Sequence, residues 1–535
     1  MTGDTLAALL LARTGDERPG LYAGDRVWSW HEHVEAARAA ATWLDARTPG
    51  GPLHVGVLCD NVPELLFLVG GAALAGHVVV ALNPTRSPAE LARDAAATDV
   101  ALLLFDDPYE ETARSLAADL GMECLPLGGA AGEPAPATRT AEPGDLVMLI
   151  FTSGTSGRPR AVRITQRKLA VPGRSLAALL TPADVVYCSM PLFHSGALMA
   201  AYAPALASGA ALALRRRFSA SGLLPDVRRY GCTYLHYVGK ALSYVLATPP
   251  HPDDAANPLR IAFGNEGSAT AVRRFGERFG CHVIDAFGST ETAIALTPDP
   301  AGPPGCLGRL PEGVEIRDPA TGERCPAARI EDGRLANPGE AIGELVNVRG
   351  ASLFDGYYND PEADAERVRD GAFWSGDLAY ADAAGHVFFA GRGTERLRVD
   401  GENLAVAPIE AALREFAGVV EAAVYPVPDA VAGDQVMAAL VLAGPFSADA
   451  FAAFLASRRD LGVKAVPRYI RICTALPQTP SHKVVKRDLA REAWRTTDPV
   501  WRRTGTTWRP LGEEDVNAIE AEFAGNGRAH LLEAW

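Results

Sequence analysis

Eight cysteines are scattered through this 535-residue sequence, and no two of them stand in a C-x-x-C pair. That absence removes the local signature of a zinc site or a dithiol redox centre. Cys59, Cys124, Cys188, Cys232, Cys281, Cys306, Cys325 and Cys473 lie mostly inside apolar runs. They read as free thiols in a reducing compartment. A basic excess is missing too: 51 Lys and Arg face 65 Asp and Glu, a formal net charge of −14. A nucleic-acid partner would favour the opposite balance, so none is expected. An anionic nucleotide in a locally basic cleft stays compatible with that charge. Met1–Thr2–Gly3–Asp4 lacks the basic-then-apolar start of a secretory signal. A clean membrane span is also wanting. The uncharged run Leu65–Leu82 is interrupted by Gly70–Gly71 and by Ala75–Gly76–His77, so a buried helix followed by a strand at Val78–Val80 is predicted instead. Together these absences predict a cytoplasmic protein without a transmembrane anchor, and they say nothing of its oligomeric state.

What is present is a large apolar budget, 48% hydrophobic residues with 22% charged, in a chain long enough for at least two domains. Short apolar runs at 53–59, 78–82, 100–105, 147–151, 185–189, 232–237, 259–263 and 282–286 read as buried strands. Ala- and Leu-rich helical stretches separate them, a rhythm that predicts layered α/β sheets. Gly128–Gly144 reads as a surface loop. After about residue 300 Pro, Gly and short β-branched runs dominate, predicting a β-rich region with strands near Val346–Val348 and Val387–Phe389. From Leu397 the pattern becomes a compact α+β one. Helices are expected at 409–415 and 448–458, with strands at 421–426, 435–442 and 468–475. The tail holds Trp494, Trp501, Trp508 and Trp535, so part of it is expected to pack.

The stretch with the densest chemistry is Val147–Met148–Leu149–Ile150–Phe151–Thr152–Ser153–Gly154–Thr155–Ser156–Gly157–Arg158–Pro159–Arg160. A buried strand runs into a loop of hydroxyls and glycines that ends in two cations. Glycines let such a loop bring its backbone N–H groups close to an anion, and Thr152, Ser153, Thr155 and Ser156 add hydroxyl donors. The loop is suited to phosphate. By itself it is equally a solvated turn, and it is not the G-x-x-x-x-G-K-[ST] loop of nucleotide kinases.

Further motifs follow in order: Pro191–Leu192–Phe193–His194–Ser195–Gly196, Phe287–Gly288–Ser289–Thr290–Glu291, Phe373–Trp374–Ser375–Gly376–Asp377, Gly391–Arg392–Gly393–Thr394–Glu395–Arg396–Leu397–Arg398, Gly401–Glu402–Asn403 and Pro477–Gln478–Thr479–Pro480–Ser481–His482–Lys483. Each is weak alone; the ordered set resembles the adenylate-forming superfamily of acyl-CoA synthetases, adenylation domains and luciferases. Tyr234–Leu235–His236–Tyr237–Val238–Gly239 and the long tail resemble its very-long-chain acyl-CoA synthetase and fatty-acid transport branch.

The resemblance implies an enzyme that joins a carboxylate to ATP as an acyl adenylate, releases pyrophosphate, and passes the acyl group to coenzyme A. The expected substrate is a large hydrophobic acid, long-chain fatty or steroid-like. The implied fold is a large N-terminal domain of layered α/β sheets plus a β-rich subdomain (1–391), a hinge (392–396) at Thr394, and a small mobile α+β domain (397–535). Thr152, Ser153, Gly154, Thr155, Ser156, Gly157 and Arg160 would hold the outer phosphates. Thr290 would meet the α-phosphate and Glu291 would hold Mg²⁺, a hard cation suited to carboxylate oxygen. Gly264, Asn265, Glu266, Asp285, Ala286 and Phe287 would wall the adenine, and Gly288 and Ser289 would join the ATP/AMP-binding set. Asp377 would accept from the ribose hydroxyls, with Arg392 assisting. His194 would line the acyl and pantetheine passage, and Arg398, Asp400 and Gly401 would face CoA. Lys483 would be the adenylation catalyst, its point charge bridging two anions that repel.

Departures from the family pattern TSGTTGxPKG and its companions are Arg160 and Ala161 for the loop's lysine and glycine, Gln166 where a histidine is common, Glu266 on the adenine wall and His482 before Lys483. Glu266, Arg160 and His482 keep open a member that only converts preformed acyl-AMP to acyl-CoA; a second alternative is an adenylating enzyme that loads a carrier protein on a separate chain.

Overall fold

The computed structural model describes residues 4–47, 51–137, 139–152, 160–239, 241–267, 269–303, 305–331, 334–392, 397–399, 402–404, 406–430, 434–458, 461, 463–479, 484–526 and 528–534. By contact density the chain divides into two units, Met1–Ala295 with Gly350–Gly371, and Leu296–Arg349 with Ala372–Trp535.

In the first unit, the apolar runs become strands because both of their faces are covered. His54–Leu58, Val78–Ala81 and Leu102–Phe105 are buried at every position, as strands of a parallel sheet with helices on its faces must be. One six-stranded sheet runs Glu123–Pro126, Leu102–Phe105, His54–Leu58, Val78–Ala81, Leu146–Thr152, Arg160–Thr165. All pairs are parallel except the last, where Leu146–Thr152 and Arg160–Thr165 pair antiparallel on either side of residues 153–159. A seven-stranded sheet runs His282–Asp285, Ile261–Asn265, Tyr234–Val238, Val185–Cys188, Ala211–Leu214, Pro19–Ala23, Arg26–Ser29, and is parallel up to its final antiparallel edge.

The uncharged run 65–82 resolves into the helix Pro63–Ala75 and the strand Val78–Ala81. Gly76 closes the helix at φ 79°, a left-handed conformation that favours glycine. The two glycines inside it serve packing. A Cβ on Gly71 would lie 2.7 Å from the backbone nitrogen of Ala41 in the neighbouring helix Trp30–Asp45, which Ser29 and Glu32 cap reciprocally. Among the described residues no helix is long and apolar enough to cross a membrane. The eight cysteines are free; Cys59, Cys188, Cys232 and Cys473 are buried and the other four half-buried.

The second unit holds an antiparallel sheet ordered Cys306–Arg309, His386–Arg392, Ala372–Ala381, Gly343–Asn347, Val314–Arg317. It also holds a five-stranded sheet ordered Val419–Pro428, Asp434–Leu442, Tyr469–Cys473, Val500–Thr504, Thr507–Pro510. The helices Val406–Leu413 and Ala448–Ser457 pack their apolar faces on one side of that sheet. The tail extends the sheet by two strands. Trp508 joins the core on the same side as those helices, and Trp494 packs with Tyr469, Ile519 and Phe523 on the other. Trp535 and the expected hinge residues 393–396 lie outside the described residues.

Candidate active site

Three adjacent parallel strands of the seven-stranded sheet end together: Tyr234–Val238, Ile261–Asn265 and His282–Asp285. Loops leaving the carboxyl ends of such strands are where open α/β sheets bind ligands. Tyr237, Gly264 and Asp285 stand side by side in register. Gly264 has no side chain between the outer two, and the Tyr237 hydroxyl donates to Asp285 Oδ1 at 2.7 Å. A Cβ on Gly264 would sit 2.1 Å from the Tyr237 carbonyl oxygen, so the register demands glycine there. The Gly267 amide donates to the same Oδ1 at 2.9 Å. Burial pushes Asp285 up to about 6; its two hydrogen bonds pull the other way, and the Glu266 charge adds to the rise. Glu266 itself holds φ 64°, a left-handed conformation that is strained for any residue with a side chain.

Beyond Asp285, Ala286–Phe287–Gly288–Ser289 leads into Thr290 and Glu291. Thr290 Oγ1 lies 2.9 Å from Ser195 Oγ, which ties this loop to the turn carrying His194. His194 opens that turn and accepts the Gly196 amide on Nδ1 at 3.3 Å. Behind it, on the strand Tyr234–Val238, His236 is 2% exposed. Its Nδ1 donates to the Phe263 carbonyl at 3.2 Å, so Nε2 carries a lone pair and finds no partner among the described residues. Burial, reinforced by the nearby His194, pushes His236 down to about 3, and the ring is neutral.

Glu291 is half-buried. Burial alone would raise its pKa, but a backbone hydrogen bond, the Tyr357 hydroxyl and the Arg367 charge outweigh it and hold the carboxyl below its ordinary range. Tyr357 donates to Glu291 Oε1 at 2.9 Å. An ionised oxygen ligand of this kind fits Mg²⁺, which takes one or two carboxylates and completes its shell with phosphates and water. Arg160, the first residue after the phosphate-type loop, is 6% exposed and ion-paired with Glu366. Its guanidinium carbon lies 5.4 Å from the Tyr357 ring centroid, and its Nη1 has no partner among the described residues. Lys168 is 0% exposed, also without a hydrogen-bond partner for Nζ, 5.6 Å from the Phe354 ring centroid. Burial pushes it down to about 8 against the attraction of Glu291 and Asp355.

Sequence reasoning did not single out Tyr357, Glu366 or Lys168 for the site. The only cue was the aromatic and glycine cluster Phe354–Asp355–Gly356–Tyr357–Tyr358, and nothing in it points to Glu291. Gln166, noted as a departure, has a structural task. Its Oε1 accepts the Ala7 amide at 3.0 Å and its Nε2 donates to the Ala73 carbonyl at 2.7 Å, joining three helices.

In the second unit Asp377 is buried and its backbone pairs with that of Arg392. Gly376 turns the chain ahead of it at φ 77°, and its amide donates to Glu344 Oε1 at 2.6 Å. Arg398 pairs its backbone with Asn403 in a short hairpin. Ser153, Gly154, Thr155, Ser156, Gly157, Thr394, Asp400, Gly401 and Lys483 lie outside the described residues. The segments flanking the lysine are anchored. Gln478 bridges Val484, the Val485 amide donates to the Pro477 carbonyl at 2.8 Å, and Lys486 pairs with Glu410 at 2.8 Å.

Residues 11–358 match the AMP-binding enzyme family, and residues 408–483 match the AMP-binding enzyme C-terminal domain. The chain is 48% identical to the medium/long-chain-fatty-acid–CoA ligase FadD17 of Mycobacterium marinum, over 92% of this chain and 96% of that one. It is 43% identical to steroid-22-oyl-CoA synthetase of Rhodococcus jostii, over 99% of both. The crystal structure of ATP-bound MatB from Rhodopseudomonas palustris matches with a TM-score of 0.81 and 25% identity, over 91% of this chain and 98% of that one. The chain belongs to the AMP-binding enzyme family, among its acyl-CoA ligases.

Proposed function

We propose that this ligase activates a large hydrophobic carboxylic acid, a medium- or long-chain fatty acid or a steroid-like polycyclic acid, in two half-reactions. In the first, a carboxylate oxygen attacks the α-phosphorus of ATP, the bond to the β-phosphate oxygen breaks, and pyrophosphate leaves. In the second, the thiolate of coenzyme A attacks the acyl carbon and AMP leaves. Two anions must meet in the first step, so donors and cations carry the catalysis. Thr290 donates to the α-phosphate, and Arg160 with the loop of Thr152 to Gly157 holds the outer phosphates. Lys483 lies against the attacking carboxylate and the α-phosphate. Glu291 would hold Mg²⁺, which supplies charge neutralisation to the triphosphate when bound.

Asp285 accepts from the purine edge between Gly264–Asn265–Glu266 and Phe287. Asp377, with Arg392, accepts from the ribose hydroxyls. In the second step the chain turns about Thr394, Lys483 withdraws, and Arg398, Asp400 and Gly401 face CoA, whose pantetheine passes His194. The cytoplasm is the compartment that supplies both ATP and CoA. The observation that supports this reading most is the strand-end cluster, where Tyr237, Gly264 and Asp285 stand in register and Thr290 meets Ser195. The acyl class rests on the fatty-acid and steroid ligases among the relatives.

Pyrophosphate release is measured with ATP and a panel of fatty, aromatic, polycyclic and short polar acids, then thioester formation on adding CoA. Turnover with fatty or polycyclic acids is expected. Conversion of preformed acyl-AMP alone, with no pyrophosphate from any acid, would replace the ligase by the non-adenylating alternative. Lys483→Ala should lower pyrophosphate release by about 10²–10³ while sparing thioester formation from acyl-AMP. Equal loss of both would remove the role given to the lysine.

A further inference from the structure

Residues 350–371 are remote in sequence from the rest of the first unit, and one side chain in them lies between two of the groups assigned above. The segment docks on the strand Arg160–Thr165. The Arg163 amide donates to the Gly356 carbonyl at 3.1 Å, the Tyr358 amide donates to the Ala161 carbonyl at 2.8 Å, and Val162 bridges Tyr357. Gly356 turns at φ 89°, and the Tyr357 amide is held by Asp364 Oδ1 at 2.7 Å. This seats the Tyr357 side chain, 2% exposed, with its ring facing Arg160 and its hydroxyl on Glu291.

The direction of that hydroxyl is fixed. Arg367 Nε donates to Tyr357 Oη at 3.4 Å. A guanidinium can only donate, so the phenol oxygen accepts from Arg367 and its single proton is left for Glu291. Glu291 therefore receives a hydrogen bond as a carboxylate, from a group too buried to exchange it for water. A hydrogen bond to a charged partner is stronger than a neutral one and costly to lose inside the protein.

We propose that Tyr357 is a positioning residue for the adenylation half-reaction: its hydroxyl fixes the Glu291 carboxylate and its ring seats Arg160, so one buried side chain sets the spacing between the metal-holding acid and the phosphate-loop cation. This rests on the reading that Glu291 holds Mg²⁺ and Arg160 faces the triphosphate. Partners that orient a metal ligand from behind typically carry 10–100-fold in metal affinity or activity.

Tyr357→Phe keeps the ring and removes the hydroxyl; Tyr357→Leu removes both. Calorimetric titration of ATP binding against Mg²⁺ needs no turnover, and the two half-reactions are followed separately. For the Phe variant the half-saturating Mg²⁺ should rise ~10-fold and pyrophosphate release should fall by a similar factor. Conversion of preformed acyl-AMP to acyl-CoA should stay at the wild-type rate. The Leu variant should add a loss of ATP affinity at saturating Mg²⁺. An unchanged Mg²⁺ dependence in the Phe variant would overturn the proposal. So would a parallel fall of both half-reactions with a lowered Tm, which marks a purely structural tyrosine. If the wild-type protein turns over no acid, the function proposed above fails, while the calorimetric arm still decides the role of Tyr357.

Discussion

Tyr237, Gly264 and Asp285 meet because neighbouring parallel strands bring them into register. Arg160, Tyr357 and Glu291 meet although Arg160 and its ion-pair partner Glu366 are 206 residues apart and Tyr357 and Glu291 are 66 apart. The side proposed to hold adenine is thus set by backbone geometry, with a glycine spacer and two hydrogen bonds on one carboxylate oxygen. The side proposed to hold the phosphates is set by side chains on a docked segment, and it gathers the cations Arg160, Lys168 and Arg367 with the acids Glu366, Asp355 and Glu291. Backbone register tolerates little change in volume, whereas a cluster of charges responds to charge and pH. Substitutions should therefore fail differently on the two sides.

The largest effect is expected on the adenine side. Gly264→Ala places a methyl 2.1 Å from the Tyr237 carbonyl, a backbone atom that cannot step aside without moving its strand. Overpacking of this kind costs up to about 3 kcal/mol. Chemical denaturation should show that loss, and the affinity for ATP should fall with the separation of Tyr237 from Asp285. Unchanged stability would mean that the strands at this end are looser than the register implies.

Lys168→Met tests the phosphate side, and here a gain is expected. An ammonium buried with no hydrogen-bond partner among the described residues opposes folding, and an apolar side chain of similar length should stabilise by about 2 kcal/mol. The folded pKa of about 8 lies below the unfolded value of 10.5. Between those two pH values the unfolded chain binds more protons, so wild-type stability rises with pH across that window. Below about pH 8 the full penalty remains. Urea titrations at pH 7 and pH 10 should find the two proteins converging at the higher pH. A destabilised Met variant would show that Nζ has a partner in the folded protein.

The contrast between the two sides is also why one was legible in the sequence and the other was not. Buried parallel strands announce themselves as short uncharged runs, so Val78–Ala81, Leu102–Phe105 and Tyr234–Val238 could be read directly. Glu266 and Phe287–Glu291 come just after the strands Ile261–Asn265 and His282–Asp285 in the chain and could be read along with them. Tyr357 carries no such label, because the contact with Glu291 exists only after residues 350–371 have docked. Ala211–Leu214 was missed for another reason: alternating alanine and leucine reads as helix, and only its place between Val185–Cys188 and Pro19–Ala23 makes it a strand. Gln166 stood out as a missing histidine, yet its amide serves the packing of helices.

A smaller effect separates charge from shape on the adenine side. Asp285 is pushed up to about 6, so its carboxyl takes a proton as the pH falls through that value. In its proposed role as acceptor from the purine edge, this carboxyl weakens once protonated. Comparing KM for ATP between pH 5 and pH 7.5, the wild type should lose about tenfold in affinity one pH unit below the pKa. Asp285→Asn keeps the shape and the oxygen that accepts from Tyr237 and Gly267 but does not titrate, so its profile should stay flat relative to wild type, whatever its overall affinity. Parallel profiles would assign the acid limb to another group.

The smallest effect concerns the join between the strand-end loop and the His194 turn. Ser195 is buried, and its Oγ lies 2.9 Å from Thr290 Oγ1. One hydroxyl donates and the other accepts, so the contact sets where the Thr290 proton points while no substrate is bound. Ser195→Ala leaves Thr290 free to rotate, a loss of about 1 kcal/mol if the hydrogen bond is worth the usual amount. That corresponds to about fivefold in kcat for pyrophosphate release. KM for ATP should hardly move, because the contact proposed between Thr290 and the α-phosphate would tighten only as charge develops there. Ser195→Thr restores a hydroxyl and should recover most of the rate where its extra methyl fits. A rise in KM with kcat preserved would place Ser195 in ground-state binding and detach the His194 turn from the chemistry at Thr290.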